Sequence, residues 1–175
     1  MTAGETIATG ERADFVQALA RHRGFLRHTL RGLTDEQAAE RTTASELCLG
    51  GLIKHVTLVE RRWASFMLEG PSAMASASDA DVRRSEWLDT FRMLPGETLA
   101  ALLDKYDQAA RRTDELVMTL PDLDSSHPLP EAPWHEQGAR WSARRVLLHV
   151  IAETAQHAGH ADLIRESLDG AKTMG

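Results

Sequence analysis

Residues 147–166 read LLHVIAETAQHAGHADLIRE, and in them His149, Glu153, His157 and His160 recur at steps of four, four and three. At about 100° per residue, with His149 at zero, Glu153 falls near ~40°, His157 near ~80° and His160 near ~20° on a helix. Val146, Val150, Ile164 and Leu168 lie in the same sector, between roughly 60° and 100°. The polar groups therefore sit inside an apolar stripe. A carboxylate in such a stripe is costly unless it is paired, hydrogen-bonded or bound to metal, so Glu153 asks for a cation.

Rise along the helix decides which of the four can share an ion. Glu153 and His157 are about 6 Å apart along the axis and His157 and His160 about 4.5 Å. His149 and His157 are about 12 Å apart, and Glu153 and His160 about 10.5 Å. Only Glu153/His157 and His157/His160 qualify as close pairs converging from adjacent turns. A catalytic zinc site commonly has three protein ligands and one open position, so another helix must contribute. The stretch LCLGGLIKHVTLVERRWASF offers His55, which shares an apolar sector with Leu52, Val56, Val59, Trp63 and Phe66.

The remaining candidates have plainer readings. His22 is a hydrogen-bonded histidine on the apolar stripe of its helix, His28 is exposed, and His149 packs beside or orients the site. His127 and His135 lie on a long connection where nothing marks them as ligands. Cys48 is about 10.5 Å from His55 along a helix and reads as a small core hydrophobe. Trp63 and Trp141 read as core anchors, and Trp134, in APWHEQG, reads first as packing within its loop and second as closing over a pocket mouth.

The elements that must position these groups are helices, since period-3.6 patterning dominates and strand-like alternation is almost absent. A first helix covers about 11–32, with Phe15, Leu19, His22, Leu26, Leu30 and Leu33 on one stripe. Thr34 and Gln37 have capping-box spacing, and Thr43 and Glu46 repeat it at the start of a helix running to about Leu68. EGPSAMASASDAD reads as a loop, DVRRSEWLDTFRML as a shorter helix, and 96–120 as a long helix stopped by Pro121. The connection from Pro121 to Trp141 holds four of the six prolines, and the last helix runs from the N-cap Ser142 to Leu168. The expected fold is all-α: four long helices packed as a bundle with long connections, in a single domain spanning 1–175.

Composition narrows the function classes. The formal charge of −6 argues against a phosphate-binding surface, so neither nucleic acid nor an anionic membrane is an expected partner. The single cysteine cannot form an internal disulfide, MTAGETIATGERADF has neither an apolar signal core nor a cationic leader, and no apolar run approaches the roughly 20 residues that span a bilayer. A cytoplasmic location is expected.

GLIKHVTLVERRW, with an inward histidine and a tryptophan eight residues later, and WSARRVLLHVIAETAQHAGHADLIRESLDG together resemble the DinB/YfiT-like superfamily of metal-binding four-helix bundles, in its mycothiol transferase branch. The resemblance covers essentially the whole chain in helix order and spacing. Many members have His-x3-His on the last helix, so Glu153 at the first of those positions is a departure. It looks like the arrangement of the mycothiol-dependent maleylpyruvate isomerases. The resemblance implies His55, Glu153 and His157 as ligands of zinc or another divalent metal, with His160 as the rival for Glu153's place, as a hydrogen-bond donor to a ligand, or as a proton carrier. It implies mycothiol as cosubstrate, an electrophilic small molecule as its acceptor, a thiol S-transferase activity and, by analogy, a homodimer. Thiol-dependent isomerisation, metal-dependent hydrolysis and a purely structural metal bundle are the alternatives.

Overall fold

The computed structural model describes residues 10–74, 79–132 and 135–173. Four long helices form the body: α1 (Glu11–His28), α3 (Leu49–Glu69), α5 (Leu99–Thr119) and α6 (Ala143–Asp169). Two shorter ones, α2 (Asp35–Ala39) and α4 (Ala80–Asp89), lie in the connections. The expected all-α bundle is what the chain forms.

Helix directions follow from side chains that meet. Arg144 bonds Glu11 at one end and Arg165 donates to Thr29 O at the other, so α1 and α6 run parallel. His55 meets His157 and Trp63 meets His149, so α3 opposes α6. Arg12 donates to Leu120 O and Arg27 pairs with Asp107, so α5 opposes α1 and lies parallel to α3. Parallel neighbours cannot be joined by a tight turn, and residues 70–98 form the long return path that α3 and α5 require.

The apolar stripes pack as their spacing predicts, with one exchange. On α1, Phe15, Leu19 and Leu26 are buried, but the inward position between them is held by Arg23, while His22 is half-exposed against Phe25. Arg23 is tolerated because it meets Glu60, which is fully buried, and Asp114. A buried guanidinium needs such partners.

Several boundaries differ from expectation. The capping box on Thr34 and Gln37 forms. That on Thr43 and Glu46 does not: Thr43 turns its hydroxyl to Ser45, Glu46 pairs with Arg41, and α3 begins six residues later. Its N-cap is Cys48, whose Sγ accepts from Gly51 N at 3.3 Å, so this buried thiol is a capping group as well as a core residue. Helix α1 stops at His28, and α4 ends at Asp89, where Thr90 takes the C-cap. The proline-rich connection contains a short antiparallel pair, β1 (Ser126–Pro128) with β2 (Arg140–Ser142). Three-residue strands are too short to show alternation in sequence.

Gly50 and Gly51 let the 91–93 segment lie directly on the start of α3. A Cβ on Gly51 would fall 1.9 Å from Phe91 O, and one on Gly50 2.1 Å from Met93 Sδ. That close approach brings Thr90 and Phe91 to His55. No helix among the described residues is long and apolar enough to cross a membrane.

Candidate metal centre

Helix α3 contributes His55 and α6 contributes Glu153 and His157, and one ligand atom from each lies within 4.8 Å of the other two. The two imidazoles meet edge to face with centroids 4.8 Å apart. His157 Nε2 is 3.6 Å from one Glu153 oxygen, and His149 Nε2 is 3.8 Å from the other. Two imidazoles and a carboxylate converging in this way are a donor set suited to a divalent ion.

Hydrogen bonding fixes how His55 presents itself. Thr90 donates its hydroxyl proton to Trp87 O at 2.7 Å, so its oxygen is left to accept from His55 Nδ1 at 3.1 Å. The proton then resides on Nδ1 and the Nε2 lone pair is free for an ion. Phe91 stacks on the ring at 4.1 Å and Trp87 meets it edge-on at 5.0 Å, which restricts its rotation. Burial, with His157 adding to it and Glu153 opposing, pushes the His55 pKa down to about 4. His55 is neutral at pH 7, as a ligand must be.

The acid is held in its charged form. The close His157 contact foremost, with His149 and His55 assisting against burial, keeps the Glu153 carboxyl below the usual range. His149 is pushed down by burial, and its ring packs against both Trp63 and Trp141.

His160 lies elsewhere in the arrangement. Its Nδ1 is 3.4 Å from Nδ1 of His157, on the ring edge that does not face Glu153, so it stands behind His157 and outside the three-residue cluster. His127 packs edge-on against Phe66, and His135 meets Pro130 O through Nδ1. Trp63 and Trp141 are half-buried: they stack on each other at 4.8 Å and pack against the core around Phe66 and Leu147. Trp134 lies outside the described residues.

The cluster borders, through Glu153, a cleft of about 520 Å³ lined by α3, α4, α6 and the residues Pro130, Ala132 and His135. Glu153, His149 and Thr90 line it, together with Trp63, Trp87 and Val59. Thr90 was not foreseen from sequence: it lies 35 residues from His55, in a segment whose pattern speaks only of helix. We expect Thr90→Val to weaken divalent-metal binding about 10–100-fold, the usual effect of losing an orienting partner. Competition with a chromophoric chelator measures this, and unchanged affinity would rule out the orienting role.

A four-helix bundle with a two-histidine, one-carboxylate cluster beside a cleft defines the class, a helical bundle of DinB-like fold with a candidate metal site. The family follows from the sequence match: residues 14–170 fit the model for mycothiol-S-transferases, and the chain belongs to that enzyme family. In fold it is similar to a conserved protein from Enterococcus faecalis known by crystal structure. The TM-score is 0.67 at 13% identity, over 94% of this chain and 100% of that one. No curated protein matches in sequence.

Proposed function

We propose that this protein is a divalent-metal-dependent, specifically zinc-dependent, mycothiol S-transferase that joins the thiol to an electrophilic small molecule. His55, Glu153 and His157 are its metal ligands. The observation that carries the reading is the convergence of those three donors beside a cleft that Glu153 lines, in a chain of the mycothiol-S-transferase family.

A divalent ion at this cluster supplies the positive charge that lowers a thiol's pKa, so that thiolate is available near neutral pH. The chain's own groups do the rest. His55 and His157 offer imidazole nitrogens, and Glu153 contributes the one carboxylate of the cluster. His149 lines the cleft beside Glu153 and is unprotonated at pH 7, so it is the group placed to receive the thiol proton. His160 orients His157. The apolar wall formed by Val59, Trp63 and Trp87 excludes water from the reacting atoms. The sulfur then forms its bond to the electrophilic carbon while the leaving group departs with the bonding pair.

The test is conjugation of a bimane dye by metal-replete and chelator-stripped protein, with mycothiol, bacillithiol or glutathione supplied in turn. Turnover is expected only with metal and mycothiol together. Equal rates with and without metal would overturn the reading, and hydrolysis without any thiol would replace it with a hydrolase.

A further inference from the structure

The cleft is basic although the chain is acidic. Arg62, Arg83 and Arg84 line it against Glu86 and Glu153, in a protein of formal charge −6. Glu153 is already flanked by His149 and His157. Elsewhere Arg23, Arg27, Arg92, Arg144 and Arg165 pair with carboxylates, and arginines without such a partner, such as Arg31, Arg61 and Arg111, are exposed. Arg62 and Arg84 have no hydrogen bond or ion pair among the described residues. Arg62 is half-buried, which removes part of its hydration without supplying an anion in exchange.

Position adds meaning to this unpaired charge. Arg62 follows His55 by seven residues, so it lies within about 20° of the same helix face and roughly 10 Å farther along the axis. The surface between and around them is apolar, formed by Val59, Trp63 and Trp87. The cleft thus has a reacting end at His149 and Glu153, an apolar middle and a cationic outer end. Mycothiol, a sugar–inositol conjugate of acetylated cysteine, has no carboxylate with which to satisfy an arginine.

We propose that Arg62, supported by Arg84, is an anion subsite, and that the electrophile is an apolar compound carrying a carboxylate within about 10 Å of its reacting carbon. The proposal rests on the transferase reading and names the substrate class of that site. Arg62 receives the carboxylate through its planar fork, and the apolar body lies along Val59 and the tryptophans.

The probe pair is 4-(bromomethyl)benzoate and its methyl ester, which share one reacting centre. Thiol sulfur bonds to the benzylic carbon, the carbon–bromine bond breaks, bromide leaves with the electron pair and the thiol proton is released. With metal-loaded protein and mycothiol, kcat/KM for each compound is divided by its uncatalysed rate. The acid is expected to be preferred by at least ~10-fold, and Arg62→Met is expected to cost the acid about 10–100-fold more than the ester, the range for losing a charged hydrogen bond. Arg62→Lys should restore part of the preference, and Arg84→Met should cost the acid less than Arg62→Met does. No preference in the wild type, or equal losses on both compounds in Arg62→Met, overturns the proposal and reassigns the arginine to the thiol or to cleft shape. If neither compound turns over, calorimetric binding of unreactive 4-methylbenzoate decides separately. Binding that weakens in Arg62→Met keeps the anion subsite while the transferase reading falls, and binding indifferent to Arg62 removes both.

Discussion

Protein with His157 replaced by alanine is expected to bind divalent metal at least ~100-fold more weakly than the wild type and to lose thiol conjugation. His157 is the member of the cluster that touches both others: its ring meets His55 at 4.8 Å and its Nε2 faces Glu153 at 3.6 Å. Its removal leaves two donors on separate helices, too few for the three-ligand arrangement of a catalytic zinc site. His55→Ala should behave similarly. Glu153→Ala and His160→Ala separate the two residues that compete for the third position by spacing. Glu153 lies in the cluster and His160 behind it, so Glu153→Ala should match His157→Ala while His160→Ala costs about 10–100-fold. Metal content after exhaustive dialysis, read beside circular dichroism to show that each variant folds, checks all four. Stoichiometric metal in folded His157→Ala would remove the centre of the proposed site.

Why those three residues were legible and others were not is a matter of period. His55, Glu153 and His157 each interrupt an apolar stripe on a long helix, and a 3.6-residue repeat exposes such interruptions without knowledge of the partner helix. Thr90 interrupts no stripe, and Arg62 stands at the edge of one, where an arginine reads as facing solvent. Thr90 gains its meaning because Gly50 and Gly51 let the 91–93 segment lie on α3, a packing event between segments some 40 residues apart. Arg62 gains its meaning because α4 and the residues Pro130, Ala132 and His135 line the same cleft. The capping signature at Thr43 misled for a local reason: Thr43 and Ser45 bond each other, an alternative that competes with helix formation. Cys48, seven residues before His55, caps the helix that spacing alone would have carried past it.

Arg23 shows the same limit from the side of stability, and Arg23→Ala is expected to cost about 3–5 kcal/mol in urea unfolding. Glu60 is fully buried and its two oxygens meet Arg23 Nε and Nη2, while Nη1 of Arg23 reaches Asp114 at 2.8 Å. Truncating the arginine strands a carboxylate beside Tyr106, whose ionisation is pushed up by burial and then by Glu60 itself. The environment therefore already disfavours added negative charge. Replacing both members of the pair is a different experiment, since two apolar residues of similar volume remove the charges together; Arg23→Met with Glu60→Met is expected to recover most of the loss. The double variant also reports what the pair does for the site. Glu60 lies five residues beyond His55 on α3, and its partner fixes that helix against α1. Metal affinity unchanged in the double variant would mean that apolar packing alone sets the register of His55 against His157. A weakened affinity in a stable double variant would mean that the buried pair holds α3 where His55 can meet α6. An Arg23→Ala protein within 1 kcal/mol of the wild type would show that water or a shifted side chain rescues Glu60, and that the pair does neither.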